Sequence, residues 1–394
     1  MHTRGFDSNQ GTIKAPKQLK GRYCLQPFTN VDIHSNNGVR CCSESWMPSW
    51  IGDFSRSSME EIWNSSKIQE IRKSVLEGTY QYCDWHQCPF YCNDRYYLYS
   101  QEELENPQSL PDLKRNRLTK YGPWIRYILE GKTELKIMPA NYNLAYDETC
   151  NLQCPSCRKT ARIYTRGPEY QSRLAIQQKL LQEVEEKGFD NIGRFNLTGS
   201  GEPFSSKIFR EFLFNFDGGK HPKLDINIQS NGVLFTPEVW RKMEKIHQNI
   251  NEVIISLDAS CGETYQKIRV NGDFDVLLKN IEFLAGLRRE NKIRRLMLAF
   301  VVQQKNYREM VPALEIGRKY QVDLFIFNLL NDWMSWSKEE YEQNAVWKVY
   351  HPEYADFIDI LRNPIFDDPL IDLGNMTEYR LRAKEKFTAK EAKG

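Results

Sequence analysis

Apolar residues recur in two alternating rhythms over the second half of the chain. Short runs rich in β-branched and aromatic residues read as strands: Asn143 to Tyr146, then RFNL, LDINI, EVIISLD, LMLAFVV and VDLFIFN. Between them stand longer stretches with apolar residues three and four positions apart, the spacing of one helix face. These are SRLAIQQKLLQEVEEKG, KIFREFLFNF, PEVWRKMEKIHQ, FDVLLKNIEFLAGLRREN and YREMVPALEIGRKY. The punctuation agrees. Pro237 stands in the first turn of the third helix, and Asn306 is placed to cap the fifth, with Glu309 positioned for a capping box. Six β/α units in succession predict a parallel sheet or barrel.

The first half is patterned differently. VDIH alternates as a short strand, Asn36-Asn37-Gly38 marks a hairpin turn, and VRCC returns. SSMEEIW starts a helix that Ser57 or Ser58 can cap, with Glu60 and Glu61 in its first turn. It is expected to run to about Glu77 and stop at Gly78. A cysteine-dense stretch, CDWHQCPFYC, follows. QEELENPQSLPDLKRNRLTKYG is charged and reads as a surface linker, and WIRYILEGK as a short helix. The chain thus divides into residues 1–22, a polar arm; 23–92, a hairpin-plus-helix unit; 93–136, a linker; 137–335, the strand–helix repeat; and 336–394, a closing helix with a charged tail.

Composition changes this picture only by exclusion. At 394 residues, 40% hydrophobic and 27% charged, the chain is an ordinary globular one. A formal charge of +2 makes no global case for nucleic acid or a membrane surface. The run RRENKIRR links a helix end to a strand start, where arginines suit the helix dipole. The N-terminus MHTRGFDSNQ is polar, and no apolar run reaches the ~18 residues of a membrane span. Ten cysteines without an export signal point to metal or redox chemistry in the cytoplasm rather than to disulfides.

Eight of those cysteines fall into two groups. Cys150, Cys154 and Cys157 form a C-x3-C-x2-C loop directly after the first strand of the repeat. Three thiolates on one tight loop can each take one iron of a [4Fe–4S] cubane and leave the fourth iron open. The alternatives are a zinc knuckle or three incidental buried cysteines. The earlier group comprises Cys24, Cys42, Cys83, Cys88 and Cys92, enough for a second, fully ligated cluster or a zinc ion. His86 is a further possible ligand. From spacing, Cys24, Cys42, Cys88 and Cys92 are the favoured four, with Cys83 as competitor.

The loop after the first strand resembles the signature of the radical S-adenosylmethionine (SAM) superfamily. Ser156 stands where that family usually has an aromatic residue. The resemblance implies a partial (β/α)6 barrel with its chemistry at the C-terminal ends of the strands. It also implies roles at those ends. Gly199-Ser200-Gly201-Glu202-Pro203 is similar to the family's G-G-E-P motif, which binds the SAM amino group, with Ser200 in its middle position. Ser230-Asn231-Gly232 resembles the turn beside the nucleoside. Ser256 and Asp258 match the family's S-x-D contacts to SAM, and Arg269 in TYQKIR takes the SAM carboxylate. The first cysteine unit resembles the twitch or SPASM auxiliary-cluster module, placed here before the barrel, with closing gaps of x4 and x3 rather than x2.

The implied cofactors are a SAM-binding [4Fe–4S] cluster, a second [4Fe–4S] auxiliary cluster and SAM itself. The implied reaction is reductive cleavage of SAM to a 5′-deoxyadenosyl radical, fed by an electron donor such as flavodoxin or ferredoxin. The expected outcome is oxidation or cross-linking of a peptide or protein side chain. The competing expectation is dehydrogenation or epimerisation of a small molecule such as a sugar or aminoglycoside. There Cys261, three residues past Asp258, would return a hydrogen atom. The bland reading of Cys261 is a small buried residue. Trp333 and Trp336 stand near the barrel mouth, as pocket lining or core. A zinc-binding interaction protein is the expectation from outside enzymology.

Overall fold

Strict alternation in the six predicted strands sends every second side chain to the same face, so the apolar set must be covered. A computed structural model describes residues 19–84, 88–92, 98–187, 193–197, 200–333 and 335–391. Two compact units result, one of residues 1–32 and 38–140, the other of 33–37 and 141–394.

In the first unit β1 is Arg22–Tyr23, β2 Asn30–His34, β3 Gly38–Arg40 and β4 Gly52–Asp53. Asn37 takes φ 64°, as the hairpin signal asks. β3 and β4 pair antiparallel. The expected single helix is two, α1 Met59–Trp63 and α2 Ser66–Leu76, broken at Asn64 and Ser65. Ser58 closes a capping box with Glu61. The Asn64 side chain accounts for the break: it leaves the helix to bond the Leu135 backbone through both its amide and its carbonyl. Arg72 on α2 is fully buried. It lies 4.2 Å over the Trp63 ring and donates to the carbonyls of Pro27 and Thr133, and burial pushes its pKa down to about 9.

The stretch read as a linker is largely helical. β5, Tyr99–Ser100, pairs with β1. Helices α3 Gln101–Glu105, α4 Asp112–Lys120 and α5 Gly122–Leu129 follow. Ser100 and Glu103 form a capping box, and α5 buries Trp124, Ile125, Tyr127 and Ile128. Burial of that face makes WIRYILEGK the short helix its pattern predicts, while α3 and α4 occupy the charged stretch that argued for a linker.

In the second unit six strands lie parallel and in sequence order: β6 Asn141–Ala145, β7 Arg194–Leu197, β8 Asp225–Ser230, β9 Ile250–Ser256, β10 Arg295–Val302 and β11 Leu324–Leu329. The short β12, Ile371–Asp372, adds to β11. One face carries Tyr142, Leu144, Phe195, Leu197, Ile226, Ile228, Val253, Ile255, Leu296 and Leu298, all buried. Crossover helices cover this face: α6 Gly167–Lys187, α7 Lys207–Asn215, α8 Pro237–Lys242, then α9 Gly262–Ile268, α10 Phe274–Arg289 and α11 Met310–Lys319. Phe195 packs edge-on against Phe212 of α7. The other face is polar at its lower end, where Asn143 accepts from Asn196, and Glu252 accepts from Asn227 and Arg295.

Asn306 does not cap the helix after β10. It is buried, accepts from Gln303 N and donates to the carbonyls of Asp258 and Val301, so its side chain ties two strand ends together. The closing helix is α12, Tyr354–Ile360, and α13, Thr377–Glu391, runs into the charged tail. Among the described residues no helix is long and apolar enough to cross a membrane.

Candidate functional site

The cysteine loop begins where β6 ends, and its backbone is fixed before its thiols are considered. Asp147 is fully buried. One carboxylate oxygen accepts from Thr149 N at 2.9 Å, the other from Ser206 Oγ at 2.6 Å. Glu148 is clamped by Arg173 and Arg162, each at 3.0 Å, and Arg173 also lies 3.9 Å over the Tyr164 ring. Cys150 N donates to Arg162 O, and Cys157 N and Arg158 N both donate to Cys154 O. The loop is therefore a rigid turn, which three thiols serving one group require.

Each thiol of the loop faces a polar side-chain donor, and Cys150 Sγ also accepts from Leu152 N at 3.4 Å. Asn231 Nδ2 stands 3.9 Å from Cys150 Sγ, Arg269 3.7 Å from Cys154 Sγ, and Arg158 3.3 Å from Cys157 Sγ. Cys150 and Cys154 are buried, while Cys157 is exposed. Burial raises the Cys150 and Cys154 thiol pKa values, and Arg158 and Arg269 oppose it. Among the described residues no three His, Cys, Asp or Glu are grouped tightly enough to share a single metal ion.

The turn after β7 docks on this loop. Gly199 lies outside the described residues. Ser200 Oγ donates to Ala145 O at 2.9 Å. A Cβ on Gly201 would come within 2.4 Å of Asp147 O and 2.7 Å of Thr149 O, so only glycine lets the two backbones meet. Glu202 N donates to Thr149 O at 2.7 Å.

Glu202 itself is 1% exposed. It accepts from Ser230 Oγ, Asn231 N and Phe204 N, all uncharged donors. Burial pushes its carboxyl up to about 7 against those bonds. A carboxyl so placed suits an ammonium group. The turn after β8 is set by Gly232 at φ 79°, where the Ser230 hydroxyl accepts from Gly232 N and the Asn231 amide bonds Asn151.

After β9, Ser256 is half-buried, and Asp258 adopts φ 57°. Asp258 pairs with Arg269 at 2.5 Å and accepts from Val301 N at 2.7 Å. Burial works against the Arg269 charge, but Asp258 and Cys154 outweigh it and push its pKa up. Its Nε is buried without a partner, as is the Tyr265 hydroxyl. A SAM carboxylate would meet the first need, and its ammonium would meet Glu202. The residues present therefore fit an open cluster on three thiols with SAM beside it.

Cys261 is exposed, which removes its reading as a buried packing residue. Its Sγ lies 3.6 Å from Thr264 Oγ1 and 3.7 Å from Glu309, and Ser260 donates to the same Glu309 carboxylate. Glu309, expected in a capping box, is drawn off by these bonds. Trp333 is exposed and is no part of the core.

In the first unit Cys24, Cys42, Cys83 and Cys88 line one cavity with Trp46, Met47, Val75, Tyr80, Phe90, Tyr91 and Leu98. Tyr80 frames it by donating to Arg22 O and accepting from Cys24 N. Burial pushes the Cys24 thiol up to about 11 and holds Cys42 and Cys83 well above the ordinary range. His86 and the side chain of Cys92 lie outside the described residues.

Sequence reasoning passed over Arg158, Asp147 and Glu148. The signal was available for the carboxylates, since Asp147-Glu148 sits at a strand end within three residues of the first cysteine.

Comparison with known proteins agrees with this geometry. The radical SAM superfamily profile matches residues 148–314, and that of the SPASM iron–sulfur cluster-binding domain matches residues 24–89. The mycofactocin maturase MftC of Mycolicibacterium smegmatis is 26% identical over 182 residues, 46% of this chain and 42% of that protein. The chain therefore spans under half the length of this curated relative. Among solved structures, SuiB of Streptococcus suis aligns at TM-score 0.41 and 12% identity, over 77% of this chain and 63% of that one. Native anSMEcpe with bound AdoMet aligns at TM-score 0.40 and 20% identity, over 56% of this chain and 57% of that one. The three-cysteine loop thus lies inside the region matched by the radical SAM superfamily profile, and the four cavity-lining cysteines lie inside the region, earlier in the chain, matched by the SPASM iron–sulfur cluster-binding profile.

Proposed function

We propose that this chain cleaves SAM reductively and removes a hydrogen atom from an unactivated C–H bond of a peptide or protein side chain, in the cytoplasm. The observation that carries the reading is the convergence at one strand-end face of three thiols, each opposite a donor, with a buried carboxyl pushed up to about 7. When bound, the cluster and SAM supply a single electron and a 5′-deoxyadenosyl radical.

The chain's own residues do the rest. Cys150, Cys154 and Cys157 hold the cluster. Glu202 accepts the SAM ammonium, and Arg269, aimed by Asp258, takes the carboxylate through its unpartnered Nε. Both Asp258 oxygens already accept from protein groups, so its main task is to orient Arg269. Ser256, Ser230 and Asn231 would contact the nucleoside, with the Gly201 backbone offered to the SAM amino group. Cys24, Cys42, Cys83 and Cys88 would hold the second cluster, which would supply an electron-accepting centre there. Cys83 lines the cavity with the other three, and the Cys92 side chain lies outside the described residues. A flavodoxin- or ferredoxin-type protein provides the reducing electron. The maturase name of the curated relative supports a side-chain modification.

The test is anaerobic. The iron-reconstituted chain, given dithionite and SAM, should release 5′-deoxyadenosine and methionine in equal amounts. Reconstituted protein that releases neither overturns the reading.

The exposed Cys261 thiol supports a second reading, epimerisation of a small molecule with Cys261 as hydrogen donor. Cys261→Ala should then keep 5′-deoxyadenosine formation and lose the epimer. In deuterated water the wild type should place one deuterium at the abstracted carbon. An unlabelled product rules that role out.

A further inference from the structure

Arg158 follows the third cysteine of the loop and has no task in the reading above. It is 6% exposed. Its guanidinium is held at three points: it donates to Glu148 O at 2.8 Å, to Ser200 O at 3.1 Å and to Cys157 Sγ at 3.3 Å. Buried guanidinium groups ordinarily pair with carboxylates. Arg269 has Asp258 and Arg173 has Glu148. Arg158 donates to two carbonyls and a thiol, and among the described residues it forms no salt bridge.

We propose that Arg158 is a positioning residue whose fixed, otherwise unbalanced charge faces the SAM-binding cluster and raises the potential at which that cluster takes its electron. The inference rests on the cluster assignment proposed above. The step is a single-electron transfer. One electron leaves a low-potential donor of the flavodoxin or ferredoxin class and enters the cluster. The donor is oxidised by one electron, the cluster is reduced by one, and no bond or proton changes place. Reduction adds one negative charge beside the Cys157 sulfur. A buried cation there favours the reduced state, since charge and hydrogen bonds to the sulfurs set such potentials. The two carbonyls keep the guanidinium from swinging away, so its contribution is constant. The same contacts join the cysteine loop to the Ser200 turn, which explains the choice of a forked side chain over a lysine.

The test is an anaerobic redox titration of the full-length, iron-loaded protein with titanium(III) citrate. The signal followed is the reduced-cluster paramagnetic resonance that changes on adding SAM, which separates this cluster from the auxiliary one. Arg158→Gln should move the midpoint to a more negative potential. Arg158→Lys, which keeps the charge, should lie between Arg158→Gln and wild type. A midpoint belongs to the cluster and not to its occupancy, so partial loading does not blur the comparison. The inference is overturned if Arg158→Gln titrates with wild type, or if Arg158→Lys falls as far as Arg158→Gln. It is also overturned if both variants lose the SAM-responsive signal altogether, since Arg158 would then be a folding residue. Absence of that signal in wild type would instead sink the cluster assignment itself.

Discussion

The two cysteine groups differ most in what surrounds the sulfur. Around Cys150, Cys154 and Cys157 stand an amide and two guanidinium groups, a buried carboxyl and one thiol open to solvent. Around Cys24, Cys42, Cys83 and Cys88 stand Trp46, Met47, Val75, Phe90 and Leu98. In the first surroundings, guanidinium groups oppose the burial that raises the Cys150 and Cys154 thiols. The second exclude water and penalise free thiolates, so a bound metal group must supply the compensating charge. One site is built to react and the other to hold.

The largest effect should come from removing the reactive set. Cys150→Ala with Cys154→Ala and Cys157→Ala should lower iron from about eight per chain to about four and abolish 5′-deoxyadenosine formation. Iron analysis and chromatography read both. Residual SAM cleavage in that variant would erase the distinction between the sites.

The matching change in the other site should act on product and not on cleavage. Cys24→Ala with Cys42→Ala should remove the remaining iron while SAM cleavage persists. Substrate product should fall at least about tenfold. Undiminished product would reduce the apolar site to a scaffold.

Glu202→Gln probes the polar surroundings themselves. SAM affinity should drop by about 2 kcal/mol or more, roughly thirtyfold in Kd, as for truncating a buried charge partner. Its pH behaviour separates it from a packing change. Burial raises Glu202 from 4.5 to about 7, so within that window the folded chain binds a proton that the unfolded chain does not. Stability of the SAM-free chain should therefore fall as pH rises from about 4.5 to about 7. SAM affinity should rise over the same window, because the ammonium needs the ionised carboxyl. Glu202→Gln should flatten both profiles in calorimetry and equilibrium binding.

Gly201→Ala should be the mildest. The added methyl meets the Asp147 and Thr149 carbonyls and should cost about 1–3 kcal/mol. The loss should appear as reduced loading of the first cluster with the second unchanged. Equal loss from both would show that the damage spreads beyond the loop.

The parts of this contrast that were legible in the sequence are those carried by local spacing. The six strands announce themselves by period, and Glu202 and Asn231 stand in the turns that follow strand ends. What was hidden depends on contacts between distant positions. Arg158 gains its meaning from the Ser200 carbonyl, 42 residues away. Asp147 gains its own from Ser206. Cys83, a competitor among the cysteines of CDWHQCPFYC, reaches the cavity through the turn that Tyr80 begins, with Cys83 N bonded to Tyr80 O. The supposed linker carried its own warning in Ser100 and Glu103, a capping pattern that charge and proline content masked.

The openness of Cys157 also fixes an order of damage. Oxidants attack sulfur according to its exposure, and Cys157 is the loop thiol open to solvent. In air, the three-cysteine site should be dismantled first, while the aromatic box around Cys42 and Cys88 keeps its iron longer. Protein handled aerobically would then stay brown after losing its chemistry, so colour would be a misleading guide to competence.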